Sequence, residues 1–204
     1  MLDAGCGVGV MARRMAMLVA DGECSGDVFA FDRSPQAVLV ARGVCAGAAP
    51  MIPAGRGGLE TAWGQVAAVD GIHWAIADVL SPPLPKSSFA WIHCGNLFDM
   101  VPGGAEGVLA SLVPLLVPGG LLTFSTPFDE DDVPLNDSQE SPEIQLNAAL
   151  RSAGLSMVDQ RDGVPWVIRE YNRGFRILLC YCGAARKPLA RRGGLRTAAT
   201  PAGG

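Results

Sequence analysis

Three glycines at every second position follow an acidic residue at the start of the chain, in the stretch LDAGCGVGV over residues 2–10. Glycine adopts the positive φ values that a tight turn can need, and it leaves no side chain between the backbone and a group packed against it. The residues before the glycines indicate the end of a strand, and MARRMAMLVA after them carries apolar residues at helical spacing. A strand, a glycine loop and a helix in this order predict the first unit of an α/β sheet.

Strands and helices alternate along most of the chain. DVFAFD, residues 27–32, predicts a second strand, and Ser34 followed by Pro35 predicts the start of a helix in SPQAVLVAR. Further apolar runs predict strands over 72–79, 89–94 and 121–127 and helices over 105–117 and 141–154. The C-terminal part predicts two or three strands with hairpin-like spacing, in LSMVDQ, VPWVIREY and RILLCYCGAARK. Because parallel strands alternate with helices in such sheets, ligands are expected beyond the carboxyl ends of the strands.

Two stretches lack a clear pattern. Residues 43–71 are rich in Gly, Ala and Pro in their first half, which predicts a loop, while residues 59–69 are compatible with a helix. The tail over 188–204 has no periodicity and predicts disorder. We therefore expect one domain over residues 1–187, followed by a disordered tail over 188–204.

The composition fits a globular chain with one hydrophobic core. Of the 204 residues, 49% are hydrophobic and 18% are charged, and the net charge of −4 does not favour a strongly cationic surface for nucleic acid. The longest apolar run, near residues 108–124, is interrupted by Pro114 and by Pro118-Gly119-Gly120, so no transmembrane segment is predicted. The six cysteines lack zinc-type spacing, and we interpret them as reduced cytoplasmic thiols that bind no metal.

The spacing of Asp3, Gly5, Gly7 and Gly9 differs from a dinucleotide-binding fingerprint, which needs glycine or alanine where Val10 stands. It resembles instead the first motif of class I S-adenosylmethionine-dependent methyltransferases, in which an acidic residue is followed by x-G-x-G-x-G. In that family the acidic residue closes the first strand. The resemblance implies that the acidic residue and the three glycines bind the cofactor, S-adenosylmethionine.

Two downstream segments resemble the same family, in the same order. Asp32 ends the second strand and RSPQAVLVAR follows it, as in the family pattern D-x-S-P. The resemblance implies that Asp32, with Arg33 beside it, binds the cofactor ribose, and a carboxylate suits two vicinal hydroxyls because it offers two acceptor oxygens. IADVLSPPLP places Asp78, followed by Val79, where the family has an acidic residue that accepts from the adenine amino group.

The segments FAWIHCGNLFDMVP and LLVPGGLLTFSTP also resemble family segments, at the fourth and fifth strands. They place Cys94 where a small residue lines the methionine portion of the cofactor. Over residues 2–127 the resemblance implies a Rossmann-like methyltransferase fold, with a mostly parallel twisted sheet, helices on both faces and an antiparallel C-terminal hairpin. The family normally has a helix and several strand residues before the first acidic position, so the first strand and its preceding helix are expected to be truncated here.

The resemblance implies methyl transfer from S-adenosylmethionine to a small-molecule acceptor. The stretch CGNL stands where N-P-P-Y or D-P-P-Y would indicate amino methylation of a nucleobase or an amide. The family has no universal catalytic side chain, so His93, Asn96 and Asp99 are candidates by position only. Two other functions stay open: a non-catalytic methyltransferase-like binding or partner subunit, and a nicotinamide-dependent oxidoreductase.

Several candidates also have a purely structural explanation. Asp3 would hold the glycine loop by accepting from backbone N–H groups, and Asp78 would be a turn residue. Asp32 would be a negative charge that the dipole of the following helix stabilises. His93 lies within an apolar strand, where a buried structural histidine is a simpler interpretation than a base. Cys180 and Cys182 are two positions apart on a predicted strand and so face the same side. No second pair of ligands accompanies them, which favours a packing role over metal binding.

Two sets of polar side chains have open roles. The run DEDD over residues 129–132 follows the fifth strand and would form either a solvated loop or a site for a cation or a basic group. The C-terminal hairpin carries side chains that would meet an acidic or aromatic substrate or lie on the exposed face of the terminal strands: Arg169, Tyr171, Arg173 and Arg176.

Overall fold

The structure is a computed structural model that describes residues 1–48, 51–55, 58–61, 67–128, 141–171 and 174–190. Strands and helices alternate over most of this length, as the sequence predicts. The elements in chain order are β1 (Leu2–Ala4), α1 (Val10–Ala20), β2 (Val28–Asp32), α2 (Pro35–Cys45), β3 (Met51–Gly55), β4 (Gly58–Thr61), β5 (Ile72–Ile76), β6 (Phe89–Gly95), α3 (Gly104–Leu112), β7 (Leu116–Thr126), α4 (Pro142–Ser152), β8 (Ser156–Tyr171) and β9 (Gly174–Arg186).

Seven strands form one sheet in the order β5-β2-β1-β6-β7-β9-β8. The five strands from β5 to β7 pair in parallel, and β9 and then β8 join antiparallel on the β7 side. β1 lies in the middle of the five parallel strands and has three residues, all of them buried. This arrangement confirms the predicted mostly parallel sheet with an antiparallel C-terminal hairpin.

Alternate residues of a strand face opposite sides of the sheet, and β2 shows which helices cover each side. On one face, Phe31 belongs to a large hydrophobic core together with Leu109 of α3 and Leu150 of α4. On the other face, Val28 packs in a smaller core with Met15 of α1. Helices therefore cover both faces of the sheet, as predicted.

The start of α2 follows the predicted pattern. Ser34 is the N-cap residue, its hydroxyl oxygen accepts from the N–H of Ala37 at 3.2 Å, and Pro35 occupies the first helical position. The side chain satisfies one of the N–H groups that have no partner within the first turn of a helix. The cap fixes the direction of the chain immediately after Asp32.

Pro114 shortens the helix predicted over 105–117. α3 ends at Leu112 and a single 3-10 turn follows, because proline has no N–H and its ring clashes with the preceding helical turn. β7 starts at Leu116, earlier than the predicted residue 121, and Leu116 pairs with Phe89 ahead of a register shift. The Pro-Gly-Gly sequence therefore lies within the strand, as an irregularity, and not before it.

The prediction of a helix over residues 59–69 is wrong for its first residues, 59–61. Gly58–Thr61 form β4, which pairs antiparallel with β3 so that Ile52 lies opposite Glu60. A short helix beside several glycines is marginal, whereas pairing with a neighbouring extended segment satisfies the backbone groups. Residues 62–66 lie outside the described residues, and 67–70 have no regular structure.

The C-terminal hairpin reaches beyond the carboxyl end of β7. Thr126, the last residue of β7, pairs with Tyr181, so residues 174–180 and their partners in β8 continue past it as a two-stranded ribbon. β3 contacts β8, although β3 follows a helix on the opposite half of the sheet. Within the described part of the chain, no helix is long and apolar enough to cross a membrane.

Candidate functional site

The carboxyl ends of four parallel strands surround a pocket of about 260 Å³. The loop after β1, the end of β2 and the segments after β5 and β6 form its walls. Four of the predicted cofactor residues line it, namely Gly5, Asp32, Arg33 and Val79. The other lining residues are Phe31, Ala77, Gly95, Asn96, Leu97, Met100 and Val101.

The three glycines of the loop between β1 and α1 have different surroundings, although each has a positive φ between 50° and 81°. A Cβ atom on Gly5 would lie 2.6 Å from Cδ2 of Leu97, and one on Gly9 would lie 2.9 Å from the ring of Trp74. A Cβ atom on Gly7 would meet no heavy atom within 4 Å. Close packing inside the protein therefore explains two of the glycines, and the third, Gly7, leaves the backbone open to a ligand.

The carboxylate of Asp32 connects the end of β2 to this loop. Its Oδ2 accepts from the backbone N–H of Gly7 at 2.9 Å, and its Oδ1 accepts from the backbone N–H of Ser34 at 2.8 Å. A carboxylate has about four lone-pair positions, so each oxygen keeps capacity for a second donor. Asp32 therefore fixes the loop and still offers two acceptor oxygens at the pocket.

Asp3 is buried and holds the start of α1. The N-cap residue of α1 is Gly9, which has no side chain, and Oδ2 of Asp3 accepts instead from the N–H of Ala12 at 2.8 Å. Burial raises the pKa of Asp3 to about 7, against the effect of that hydrogen bond and with a further contribution from the charge of Asp32. These contacts favour the structural explanation of Asp3, and a direct contact with a ligand stays a prediction.

Asp78 lies in an exposed turn after β5. Its Oδ1 accepts from the N–H of Leu80 at 2.9 Å, and its carbonyl oxygen accepts from the N–H of Ser81 at 3.1 Å. The residues on either side, Ala77 and Val79, both line the pocket. The turn therefore fixes Asp78 next to the pocket wall, and its contact with an adenine group stays a prediction.

The alternation of β6 places Cys94 in the core. Its side chain is 1% exposed and belongs to the same core as Leu109 and Phe124, and burial raises the pKa of its thiol above the ordinary range. The next residue, Gly95, lines the pocket. The structure thus places Gly95 at the wall, and a role for Cys94 in binding stays a prediction.

The contacts of His93 favour a structural role. Its Nδ1 lies 3.0 Å from Oγ1 of Thr123, and the same oxygen accepts from Nε1–H of Trp91 at 2.8 Å. The Thr123 hydroxyl oxygen is thus hydrogen-bonded to both ring side chains, Trp91 and His93. Burial lowers the pKa of His93 to about 4. His93 is therefore a neutral, hydrogen-bonded histidine within the sheet.

Asn96, directly after β6, is held by two other strands. Its φ is 53°, and its backbone N–H donates to the carbonyl oxygen of Ser125 at 2.7 Å. Its Oδ1 accepts from the Ser125 hydroxyl at 2.8 Å and lies 4.0 Å from Sγ of Cys180, which donates to it. Ser125 belongs to β7 and Cys180 to β9, so contacts distant in sequence fix an amide that sequence reasoning had marked only by its position.

The segment after β6 supplies pocket residues that sequence reasoning missed. Leu97, Met100 and Val101 form an apolar wall there. Asp99 lies in the same segment, half-buried, and its charge contributes to a raised pKa of Cys180, whose main cause is burial. Their signal in the sequence is their place just beyond the end of a parallel strand, where ligands bind in such sheets.

The remaining candidates lie outside the pocket lining. Cys180 is buried and Cys182 half-buried, and within the described ranges no group of three or more His, Cys, Asp or Glu side chains could hold a metal ion. Arg176 forms an ion pair with Glu170 at 3.5 Å, with both side chains about half exposed, and Arg169 is half-buried. Residues 129–132, Arg173 and the side chain of Tyr171 lie outside the described part of the chain.

Comparison with known proteins gives matches by structure. No protein-family model and no curated protein sequence matches the chain. A SAM-dependent methyltransferase from Methanosarcina mazei is 16% identical with a TM-score of 0.59, and the match covers 93% of this chain and 92% of that one. The N-methyltransferase NodS from Bradyrhizobium japonicum WM9, in complex with S-adenosyl-L-homocysteine, is 16% identical with a TM-score of 0.58, over 92% of this chain and 76% of that one. The [4+2]-cyclase SpnF is 17% identical with a TM-score of 0.61, over 93% of this chain and 75% of that one.

At these identities the likeness is one of fold. The chain has the Rossmann-like fold of class I methyltransferases, which confirms the fold that the sequence resemblance implied. The structures that share this fold include a cyclase as well as methyltransferases. The chemistry of this chain must therefore be argued from its own site.

Proposed function

We propose that this chain is an S-adenosylmethionine-dependent methyltransferase that transfers a methyl group to a small-molecule acceptor. The observation that carries the proposal is the carboxylate of Asp32, which is held by the N–H groups of Gly7 and Ser34 and keeps acceptor capacity on both oxygens at the pocket. The ribose of a nucleoside presents two vicinal hydroxyl donors, and two carboxylate oxygens match them.

The other walls of the pocket fit an adenosyl group. Phe31, Ala77 and Val79 supply apolar surface beside Asp32, which suits a flat base, and Asp78 offers an acceptor for its amino group from the adjoining turn. The open Cβ position of Gly7 leaves room for a ligand against the backbone. Gly95 and Asn96, at the end of β6, would then adjoin the methionine portion.

S-adenosylmethionine supplies a methyl group that is already activated by its sulfonium. The residues of the chain then have to orient the acceptor and exclude water. Leu97, Met100 and Val101 suit this task because they form an apolar wall, and the Met100 side chain is 70% exposed and so accessible to an entering acceptor. His93 is half-buried and hydrogen-bonded to Thr123, so we assign it no role as a base.

The known structures support methyl transfer and include a protein of the same fold with another activity. NodS was solved with S-adenosyl-L-homocysteine, the product that methyl transfer leaves behind. SpnF, with the same fold, is a [4+2]-cyclase, so a chain of this fold can have another activity. The alternative that we keep is a methyltransferase-like binding or partner subunit that does not transfer the methyl group. The six cysteines form no disulfide, which suits a reducing compartment, and we therefore propose that the protein is cytoplasmic.

Formation of S-adenosylhomocysteine tests the proposal. The chain is incubated with S-adenosylmethionine and a panel of small molecules that carry hydroxyl, carboxyl, thiol or amino groups, with Asp32→Ala as the control variant. We expect product with at least one acceptor and much less of it with the variant. Binding of S-adenosylmethionine without product from any acceptor would favour the non-catalytic alternative, and binding of NADH in its place would contradict the proposal.

A further inference from the structure

The side chain of Asn96 offers the pocket hydrogen-bond donors and no acceptor. Its Oδ1 already accepts from the Ser125 hydroxyl at 2.8 Å and from the Cys180 thiol at 4.0 Å. Among the described residues, none accepts a hydrogen bond from Nδ2. A side-chain amide has one acceptor oxygen and two N–H donors on opposite ends. With the oxygen directed at β7 and β9, the two N–H groups are left for a ligand in the pocket that Asn96 lines.

The backbone keeps the amide in this orientation. Asn96 has a φ of 53°, and its own N–H donates to the Ser125 carbonyl at 2.7 Å, so main chain and side chain are both attached to Ser125. Reversal of the amide would remove the acceptor that the Cys180 thiol uses and would set an N–H group against that sulfur, which is a weak acceptor. Contacts with two strands, β7 and β9, thereby fix which end of the Asn96 amide faces the pocket.

We propose that Asn96 selects an oxygen nucleophile as the methyl acceptor, a carboxylate, phenol or alcohol in preference to an amine. The inference rests on the proposed methyl transfer and names the acceptor class of that same site. An oxygen atom has two lone pairs, so one attacks the methyl carbon while the other accepts from Asn96. An amine nitrogen has a single lone pair, which the attack consumes, and its N–H groups would face the N–H groups of Asn96.

The transfer itself is balanced. A new bond forms between the acceptor oxygen and the methyl carbon, the bond between sulfur and that carbon breaks, and its electron pair returns to sulfur, which becomes a neutral thioether. A carboxylate has no proton to lose, and a phenol or alcohol releases its proton to solvent. Asn96 binds the acceptor in this step and transfers no proton.

Two probes with the same ring and opposite polar groups test the selection, benzoate and benzylamine. Their dissociation constants are measured at neutral pH on the chain saturated with S-adenosylhomocysteine. The wild type should bind benzoate more tightly. Asn96→Asp keeps an oxygen for Ser125, tolerates the positive φ and replaces the donors by an acceptor, so the ratio of the two constants should shift toward benzylamine by about tenfold or more.

Ser125→Ala is the matched variant that changes no charge. It removes the hydroxyl that holds Oδ1, so the Asn96 amide can present either end, and the preference for benzoate should shrink while S-adenosylhomocysteine still binds. Equal binding of both probes by the wild type, or an unchanged preference in both variants, would overturn the inference and leave the proposed function standing. A folded wild type that binds no S-adenosylhomocysteine would overturn the proposed function, and this inference with it.

Discussion

The backbone N–H of Gly7 donates to Oδ2 of Asp32 at 2.9 Å, across 25 residues of sequence. Gly7 follows β1 and Asp32 ends β2, and these two strands are parallel neighbours in the sheet. Parallel pairing brings the carboxyl ends of strands to one edge, where a loop donor and an acidic side chain can meet. The carboxylate therefore shapes the glycine loop as well as offering acceptors to a ligand.

Replacement of Asp32 by alanine should weaken cofactor binding. The variant loses the acceptors for two ribose hydroxyls, and hydrogen bonds to a charged group contribute about 1.5–3 kcal/mol, so the affinity for S-adenosylhomocysteine should fall by that amount. Calorimetric titration of the wild type and the variant measures the difference. Asp70→Ala serves as the control because Asp70 is exposed and does not line the pocket. Equal affinity of Asp32→Ala and the wild type would refute the ribose assignment.

Replacement of Gly7 by valine should abolish binding of S-adenosylhomocysteine. The new side chain would enter the open space at the loop. The backbone φ of 50° at this position is also unfavourable for a β-branched residue. Gly26→Val is a matched control, since Gly26 has a φ of 96°, no atom within 4 Å of its Cβ position and a place in the loop before β2.

Both valine variants should lose roughly 1–3 kcal/mol of stability from backbone strain, which chemical denaturation measures. They should differ in binding, because Gly7 donates to Asp32 of the pocket lining, whereas Gly26 precedes β2, at the opposite end of that strand. If Gly7→Val binds S-adenosylhomocysteine as the wild type does, the hypothesis that the ligand approaches the Gly7 backbone closely is wrong.

Asp3 should make the free energy of unfolding depend on pH. Its pKa is about 7 in the folded chain against 3.8 in the reference state, so the folded chain retains the proton between these values. The contribution of Asp3 to stability is therefore lost as pH rises from about 4 to 7. In Asp3→Asn this loss is absent, and the stability of the variant relative to the wild type should rise by up to roughly 4 kcal/mol over that range. If the difference in free energy of unfolding between Asp3→Asn and the wild type stays constant with pH, the pKa of Asp3 is not raised in the folded chain.

His93 should have the opposite effect on pH dependence. Its pKa is about 4 in the folded chain against 6.5 in the reference state, so the unfolded chain holds the proton between these values and stability rises with pH over this window. Asp3 and His93 thus offset each other between about pH 4 and 6.5. His93→Asn keeps a hydrogen-bonding group beside Thr123 and removes the titration, so denaturant unfolding should show a steeper fall of stability with pH than in the wild type. Parallel pH profiles would exclude a desolvated, neutral His93.

Local patterns in the sequence were sufficient to predict that the parallel strands exist, but not where each of them starts. The apolar run that ends at Asp32 and the Ser34-Pro35 start of α2 depend on neighbouring residues, and the structure confirms both. The start of β7 depends on pairing between Leu116 and Phe89, which are distant in sequence, and a periodicity argument could not find it. The pairing of β4 with β3 was missed for the same reason.

The candidate site was likewise predictable from the sequence only in part. Asp32 and the glycine loop have a recognisable spacing, but the sequence does not show that Leu97 covers Gly5 while Gly7 stays open. Cys94 and Gly95 are adjacent on β6, and a shift of one residue exchanges the two faces of a strand, so the pocket side of this pair could not be predicted from the sequence.

A crystal structure of the chain with S-adenosylhomocysteine tests the central claim most directly. The predicted result places the two ribose hydroxyls within hydrogen-bond distance of the two carboxylate oxygens of Asp32, while the N–H of Gly7 still donates to Oδ2. A ribose bound by other groups, with the carboxylate of Asp32 in contact only with Gly7 and Ser34, would contradict the account.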